Sequence, residues 1–123
     1  INIMKKFNKS IGTHGERLAG KFLERSNYKI IQYNFSCRYG EVDIIALDKD
    51  VLCFIEVKSR FSLLYGSPRE AVTCFKLKKL YKCAEFFILK HNISNINCRI
   101  DVIEVYFNYN NNLSKINHLK NVI

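Results

Sequence analysis

Two apolar runs, Gly40-Glu41-Val42-Asp43-Ile44-Ile45-Ala46 and Val51-Leu52-Cys53-Phe54-Ile55-Glu56-Val57-Lys58, lie on either side of the polar segment Asp48-Lys49-Asp50. Runs rich in β-branched and apolar residues, joined by a break the size of a turn, predict a β-hairpin. Side chains alternate between the two faces of a strand. Glu41, Asp43 and Ile45 are therefore expected on one face of the first strand, and Leu52, Phe54, Glu56 and Lys58 on one face of the second. A tight turn at Lys49-Asp50 pairs Leu47 with Leu52, Ile45 with Phe54, Asp43 with Glu56 and Glu41 with Lys58. Opposed Cβ atoms lie about 4.5–5.5 Å apart, and like charges placed so destabilise a sheet unless something compensates. Two readings follow. The face is solvated, with Glu56 and Lys58 as a surface pair; or Asp43 and Glu56 form part of a cage for a divalent cation, with Mg²⁺ suited because it takes few carboxylates and keeps several waters.

The flanking segments supply helices and further strands. Residues 10–26 predict a helix whose apolar stripe is Ile11, Leu18, Ala19, Phe22 and Leu23. Ser10 or Thr13 is placed to cap it, and Thr13-x-x-Glu16 has the spacing of a capping box. Glu16 also borders the stripe, which leaves a capping role and a site role equally open. Gly12, Gly15 and Gly20 each cost a helix about 1 kcal/mol against alanine and are expected where helix and sheet approach closely. Asn27 is a plausible stop, and Tyr28 to Cys37 reads as a strand. After the hairpin, residues 59–66 read as a loop. Ser67-Pro68-Arg69-Glu70 then starts a second helix with a cap, a proline at its first position and a closing glutamate. That helix is expected to run to about Lys90, with Val72, Phe75, Leu80, Ala84, Phe87 and Ile88 inward. Asn97 to Phe107 alternates as a largely buried strand, and Ile116 to Ile123 is expected to add an edge strand. Neither a linker nor a repeat interrupts the 123 residues, so one domain spanning 1–123 is expected.

Charge and cysteines narrow the class. Twenty basic against eleven acidic residues give +9, which favours a polyanionic partner, nucleic acid before membrane; enrichment in Lys, Asn and Ile is the compositional alternative. Five dispersed cysteines without a Cys-x-x-Cys argue against a disulfide framework and a zinc site. His14, His91 and His118 lack the spacing of metal ligands. No apolar run reaches the length of a membrane span and no signal peptide is visible, so the expected compartment is the cytoplasm. The basic residues placed to meet nucleic acid are Arg38 and Arg60 beside the hairpin and Lys76, Lys79 and Lys82 on the second helix. A lysine-rich helix face that is merely solvated is the other reading.

Asp43, then Glu56-x-Lys58 on the next strand, resembles the PD-(D/E)xK signature of the restriction-endonuclease-like superfamily, with Val42 where a proline is usual. The resemblance extends further. Gly15-Glu16-x-x-Ala19, Asn34, Arg38-x-Gly40-Glu41-x-Asp43-x-Ile45-Ala46, Phe54-x-Glu56-Val57-Lys58-x-Arg60, Gly66-x-Pro68-x-Glu70-Ala71-Val72, Lys76 and Asp101-Val102 resemble the YraN family of bacterial proteins. That family is similar in fold to archaeal Holliday-junction resolvases, which are homodimers. The resemblance implies an α/β fold with a restriction-endonuclease-like αβββαβ core, its mixed central sheet flanked by helices. It also implies that Asp43, Glu56 and the Val57 carbonyl hold Mg²⁺ or Mn²⁺, that Lys58 orients or deprotonates the attacking water, and that Glu16 serves a second metal. Glu41 is either a partner of Lys58 near the site or half of a structural salt bridge. The function expected is a metal-dependent nuclease acting on branched or otherwise structured DNA, with a homodimer as the implied assembly. The alternatives are a nucleic-acid-binding module that keeps the fold without cutting, and a protein-interaction domain.

Overall fold

A computed structural model describes residues 3–61, 74–108 and 112–123. Helix α1 (Ile3–Arg25) is followed by β1 (Lys29–Cys37), β2 (Gly40–Asp48) and β3 (Val51–Phe61). Helix α2 (Cys74–Lys90), β4 (Asn97–Phe107) and β5 (Leu113–Leu119) complete the order. The five strands form one mixed sheet in the order β1-β2-β3-β4-β5, in which only β3 and β4 run parallel. A parallel pair needs a crossover, and α2 supplies it. This is the α/β architecture expected, with an αβββαβ core.

The two helices cover opposite faces of the sheet, and the strands divide their side chains between them. Ala19 and Leu23 of α1 pack with Ile44, Ala46, Cys53, Ile55, Ile103, Val105 and Phe107. Leu80, Cys83, Ala84 and Phe87 of α2 pack with Phe35, Val42, Ile45, Leu52, Phe54 and Ile100. Gly15 and Gly20 allow α1 to lie close: a Cβ on Gly15 would collide with Ser59, and one on Gly20 with Tyr33. Gly12 meets nothing within 4 Å and has no such role.

Both helices end as an asparagine permits. Asn27 has φ 67° and Asn92 φ 51°. Tyr28 N–H reaches back to the Leu23 carbonyl at 2.9 Å, and Ile93 N–H to the Ile88 carbonyl at 3.0 Å. These are Schellman closures, with the left-handed residue just past the last turn.

Four expectations change. The first helix begins at Ile3, so Ser10 and Thr13 lie inside it rather than at its start, and the capping-box reading of Glu16 falls with them. Residues 59–61 continue β3 to a Phe61↔Phe107 pair rather than starting a loop. The last strand spans Leu113–Leu119 rather than 116–123. Phe75, expected inward, is 69 % exposed. At 3.6 residues per turn, a position five before Leu80 lies about 140° from it, whereas Lys76, four before, lies about 40° away. The Ser67-Pro68-Arg69-Glu70 cap and Val72 lie outside the described residues. Among those described, no helix is long and apolar enough to cross a membrane.

Candidate active site

The hairpin pairs in the expected register, from Asp48↔Val51 to Ile44↔Ile55. There the ladder stops. Asp43 and Glu56 are not cross-strand partners, and neither are Glu41 and Lys58: β2 parts from β3 and stays with β1, as Ser36↔Glu41 and Cys37↔Gly40. β3 continues along β4. At the fork the Asp43 carboxylate replaces the missing ladder acceptor, taking the Val57 N–H at 2.7 Å.

A kink across β1 and β2 coincides with the parting. Asn34, in the middle of β1, has φ 52°, the left-handed region that Asn tolerates better than most residues. It lies between the pairs Tyr33↔Ile44 and Phe35↔Val42, opposite Asp43. A residue so placed re-aims its neighbours, as a bulge does. Val42 accordingly packs under α2 while Ile44 packs under α1, although strict alternation would put both on one face. Glu41 and Ile45 therefore do not share a face as expected. Ile45 is core under α2, and Glu41 turns towards Glu16 of α1.

Four elements now contribute to one place. Oxygens of Glu16, Glu41 and Asp43 lie within 4.8 Å of one another. The Asn34 amide nitrogen, in the orientation its surroundings require, donates to Glu16 Oε2 at 3.1 Å and to Glu41 Oε1 at 2.9 Å. Burial and the neighbouring charges of Glu56, Glu16 and Glu41 push Asp43 up to about 7, against the pull of the Val57 N–H. Burial and the Glu41 charge raise Glu16 also, opposed by hydrogen bonds with Asn34 and Asp43. Carboxylates crowded so tightly keep a proton, or take a cation in its place.

Glu56 stands at the edge of this group, 7 % exposed, with its Oε1 held from the other side. Lys76 Nζ lies 2.9 Å from that oxygen and Lys58 Nζ 3.5 Å. Burial and the adjacent Lys76 lower the Lys58 pKa despite Glu56. The hydrogen bonds with Lys58 and Glu56, and the Glu56 charge, raise that of Lys76 although burial opposes them. The structure thus gathers Glu16, Asp43, Glu56, Val57 and Lys58 at the fork. Arg60 lies further along β3, with Nε 3.1 Å from Glu104 Oε2. Arg38, Lys79 and Lys82 are exposed on the α2 side of the sheet.

Three residues join the site in roles the sequence did not assign. Glu41 completes the carboxylate group, Asn34 bridges two of its members, and Lys76 meets Glu56. The signal for Lys76 was present, since it lies four residues before Leu80 and eight before Ala84, on the helix face that meets the sheet. Glu41 was expected on the face of Asp43 but opposite Lys58, and Asn34 carried no such signal, because period-two alternation does not reveal a kink.

Comparison with known sequences agrees along most of the chain. The profile described as "Uncharacterised protein family UPF0102" matches residues 15–105, a span holding every fork residue named above. The chain is 45 % identical over 117 residues to a UPF0102 protein of Clostridium perfringens, covering 95 % of this chain and 96 % of that one. It is 48 % identical over 112 residues to one from Clostridium tetani, covering 90 % and 92 %. Identity to a UPF0102 protein of Caldanaerobacter subterraneus subsp. tengcongensis is 43 % over 120 residues, covering 96 % and 98 %.

Proposed function

The chain belongs to UPF0102, the YraN family, and on that premise we propose that it is a metal-dependent nuclease hydrolysing phosphodiester bonds in structured DNA. One observation carries the reading: a group of three carboxylates with two lysines facing it across Glu56. A helix and three strands bring these groups to one point, where burial and the neighbouring carboxylates push Asp43 up to about 7. The donor set is all oxygen, which suits Mg²⁺ or Mn²⁺. Asp43, Glu16 and Glu41 would hold the ion, with Glu56 and the Val57 carbonyl adjoining. When bound, such an ion lowers the pKa of its water and offsets the phosphate charge.

The remaining chemistry belongs to the chain. The Val57 N–H fixes one Asp43 oxygen and leaves the other for the site. Asn34 holds Glu16 and Glu41 at a set separation. Lys58, with its lowered pKa, stands where a water can be oriented and its proton accepted or stabilised. Lys76 pairs with Glu56 and adds positive charge beside the scissile phosphate. DNA as the polyanion is supported by the +9 charge; structured DNA is supported by the likeness to junction resolvases.

Mn²⁺ titration followed by electron paramagnetic resonance tests the ion site. Wild type is expected to bind with weak affinity in the absence of DNA, and Asp43→Asn to lose at least tenfold. Equal binding by both would place the ion elsewhere. Incubation with branched, single-stranded and duplex DNA, in Mg²⁺, Mn²⁺ or chelator, tests the reaction. Cleavage only with metal is expected; tight binding without cleavage of any substrate would identify a binding module instead.

A further inference from the structure

On the α2 side of the sheet, a groove of about 350 Å³ is lined by Arg38, Tyr39, Phe75, Lys78, Lys79 and Lys82. Four of these are cations and two are aromatic. Phe75 is 69 % exposed and belongs to neither core cluster, and Lys79 Nζ sits 4.7 Å from its ring centroid. Tyr39 is anchored against Phe86, with centroids 6.5 Å apart. The Arg38 guanidinium lies 4.8 Å from the Tyr39 centroid and donates to its hydroxyl at 2.6 Å. Lys82 Nζ lies 5.7 Å from the same ring.

We infer that this groove is a stacking platform for unpaired nucleotides of DNA, with Phe75 and Tyr39 taking bases and Arg38, Lys79 and Lys82 taking phosphates. An apolar peptide segment would leave four cations without a counter-charge, and an acidic segment would meet the cations but bring no aromatic face to the 69 % exposed Phe75 ring. A nucleotide brings an aromatic face and a phosphate together, and rings set among cations are the means by which single strands are held without reading sequence. Duplex DNA keeps its bases stacked inside and offers the groove phosphates alone. Position supports the same substrate. Phe75 is followed on α2 by Lys76, whose ammonium reaches Glu56, so the platform and the fork both draw on the first turn of α2. The inference rests on the proposed nuclease reading for its substrate, and it names the part of a structured DNA that this protein grips: a single-stranded arm, flap or gap.

Binding measured by fluorescence anisotropy in chelator, where cleavage cannot intervene, tests it on the full chain. The probes are an oligothymidylate, an abasic oligomer of equal length and a blunt duplex. Wild type is expected to bind the oligothymidylate about tenfold tighter than the abasic strand, within the range of base–aromatic stacking. Phe75→Ala should remove most of that preference and change abasic and duplex affinity less than twofold, while Phe75→Trp retains it. Because Phe75 is exposed, its melting temperature should match wild type. Replacing Arg38, Lys79 and Lys82 by Ala should flatten the slope of log K against log salt by about 2 on single strands, whereas Phe75→Ala leaves the slope unchanged. Equal affinity for base-bearing and abasic strands, an equal loss on all three probes, tighter binding of polyglutamate than of DNA, or no binding at all would each overturn the platform. None of these readings involves metal. A chain that stacks bases but never cuts refutes the nuclease reading alone, and a chain that cuts without base preference refutes the platform alone.

Discussion

Lys58→Ala is expected to lower the rate of DNA cleavage by about 10²-fold, and the double substitution Lys58→Ala with Lys76→Ala by about 10³-fold or more, the range of a lost acid–base or electrostatic group. The two lysines approach one oxygen, Glu56 Oε1, at 3.5 and 2.9 Å, so the second can partly replace the first. Lys58 matters more because its pKa is lowered, which places it nearer to exchanging a proton at neutral pH. Its charge counts most as the nucleophile forms, so the loss should appear in kcat rather than in DNA affinity, which is spread over many phosphate contacts. Folding should persist in the single variant, since Lys76 still pairs with the nearly buried Glu56. Glu56→Gln should also lose cleavage, with partial recovery in excess Mn²⁺; Lys58→Ala should show none. Single-turnover rates on one branched substrate, with affinities measured in chelator, separate these outcomes. Full activity in the double variant would remove both lysines from the chemistry.

Asp101→Asn is expected to destabilise the fold by about 3 kcal/mol, a value typical of removing one partner from a buried charge pair, and to lower the melting temperature on the order of 10 °C. Asp101 is completely buried. It accepts from Arg99 Nε at 3.1 and 3.2 Å, lies 2.8 Å from His118 Nε2 and accepts the Asn121 N–H at 2.9 Å. These contacts tie β4 to β5 and the C-terminal segment, while Arg99 continues to Asp48 at 3.1 Å and to the Tyr28 hydroxyl at 2.8 Å. An amide nitrogen in place of one carboxylate oxygen would face donors. Burial by itself would raise the Asp101 pKa, but the His118 and Asn121 bonds and the Arg99 charge outweigh it and hold the carboxyl below the usual range. With a depressed folded-state pKa, the stabilisation is fully present above the unfolded value of about 3.9 and is lost as pH falls through the lower folded value. The stability gap between wild type and Asp101→Asn should therefore be constant near neutrality and close in strong acid. Urea unfolding across pH measures it. A gap that stays flat into strong acid would show that Asp101 contributes by shape rather than charge.

The order of elements was legible because each has a local cause. The hairpin register follows from two apolar runs and a two-residue turn, and it holds from Asp48↔Val51 to Ile44↔Ile55. Asn27 ends α1 because an asparagine adopts positive φ at modest cost. The stretch from Asn97 to Phe107 is a strand end to end, as its alternation predicted. Asp43, Glu56 and Lys58 stood out because charge interrupts runs that are otherwise apolar. Phe75 was misplaced for a different reason: it was assigned inward as an apolar residue, although its position five before Leu80 turns it about 140° from the buried face.

What the sequence by itself determined, then, is the set of elements, the hairpin register and three of the charged groups at the fork, since these depend on neighbours within a few residues along the chain. What only the tertiary structure decided is where the ladder ends and which groups meet there. Asn34 takes a left-handed conformation opposite Asp43, and its amide donates to Glu16 and Glu41. That kink turns Glu41 towards α1, away from Lys58, and α2 brings Lys76 to Glu56. Glu16 and Lys76 are 60 positions apart in the chain, and no periodicity relates them. They share a site because two helices pack on opposite faces of one sheet and both reach past the point where its strands part.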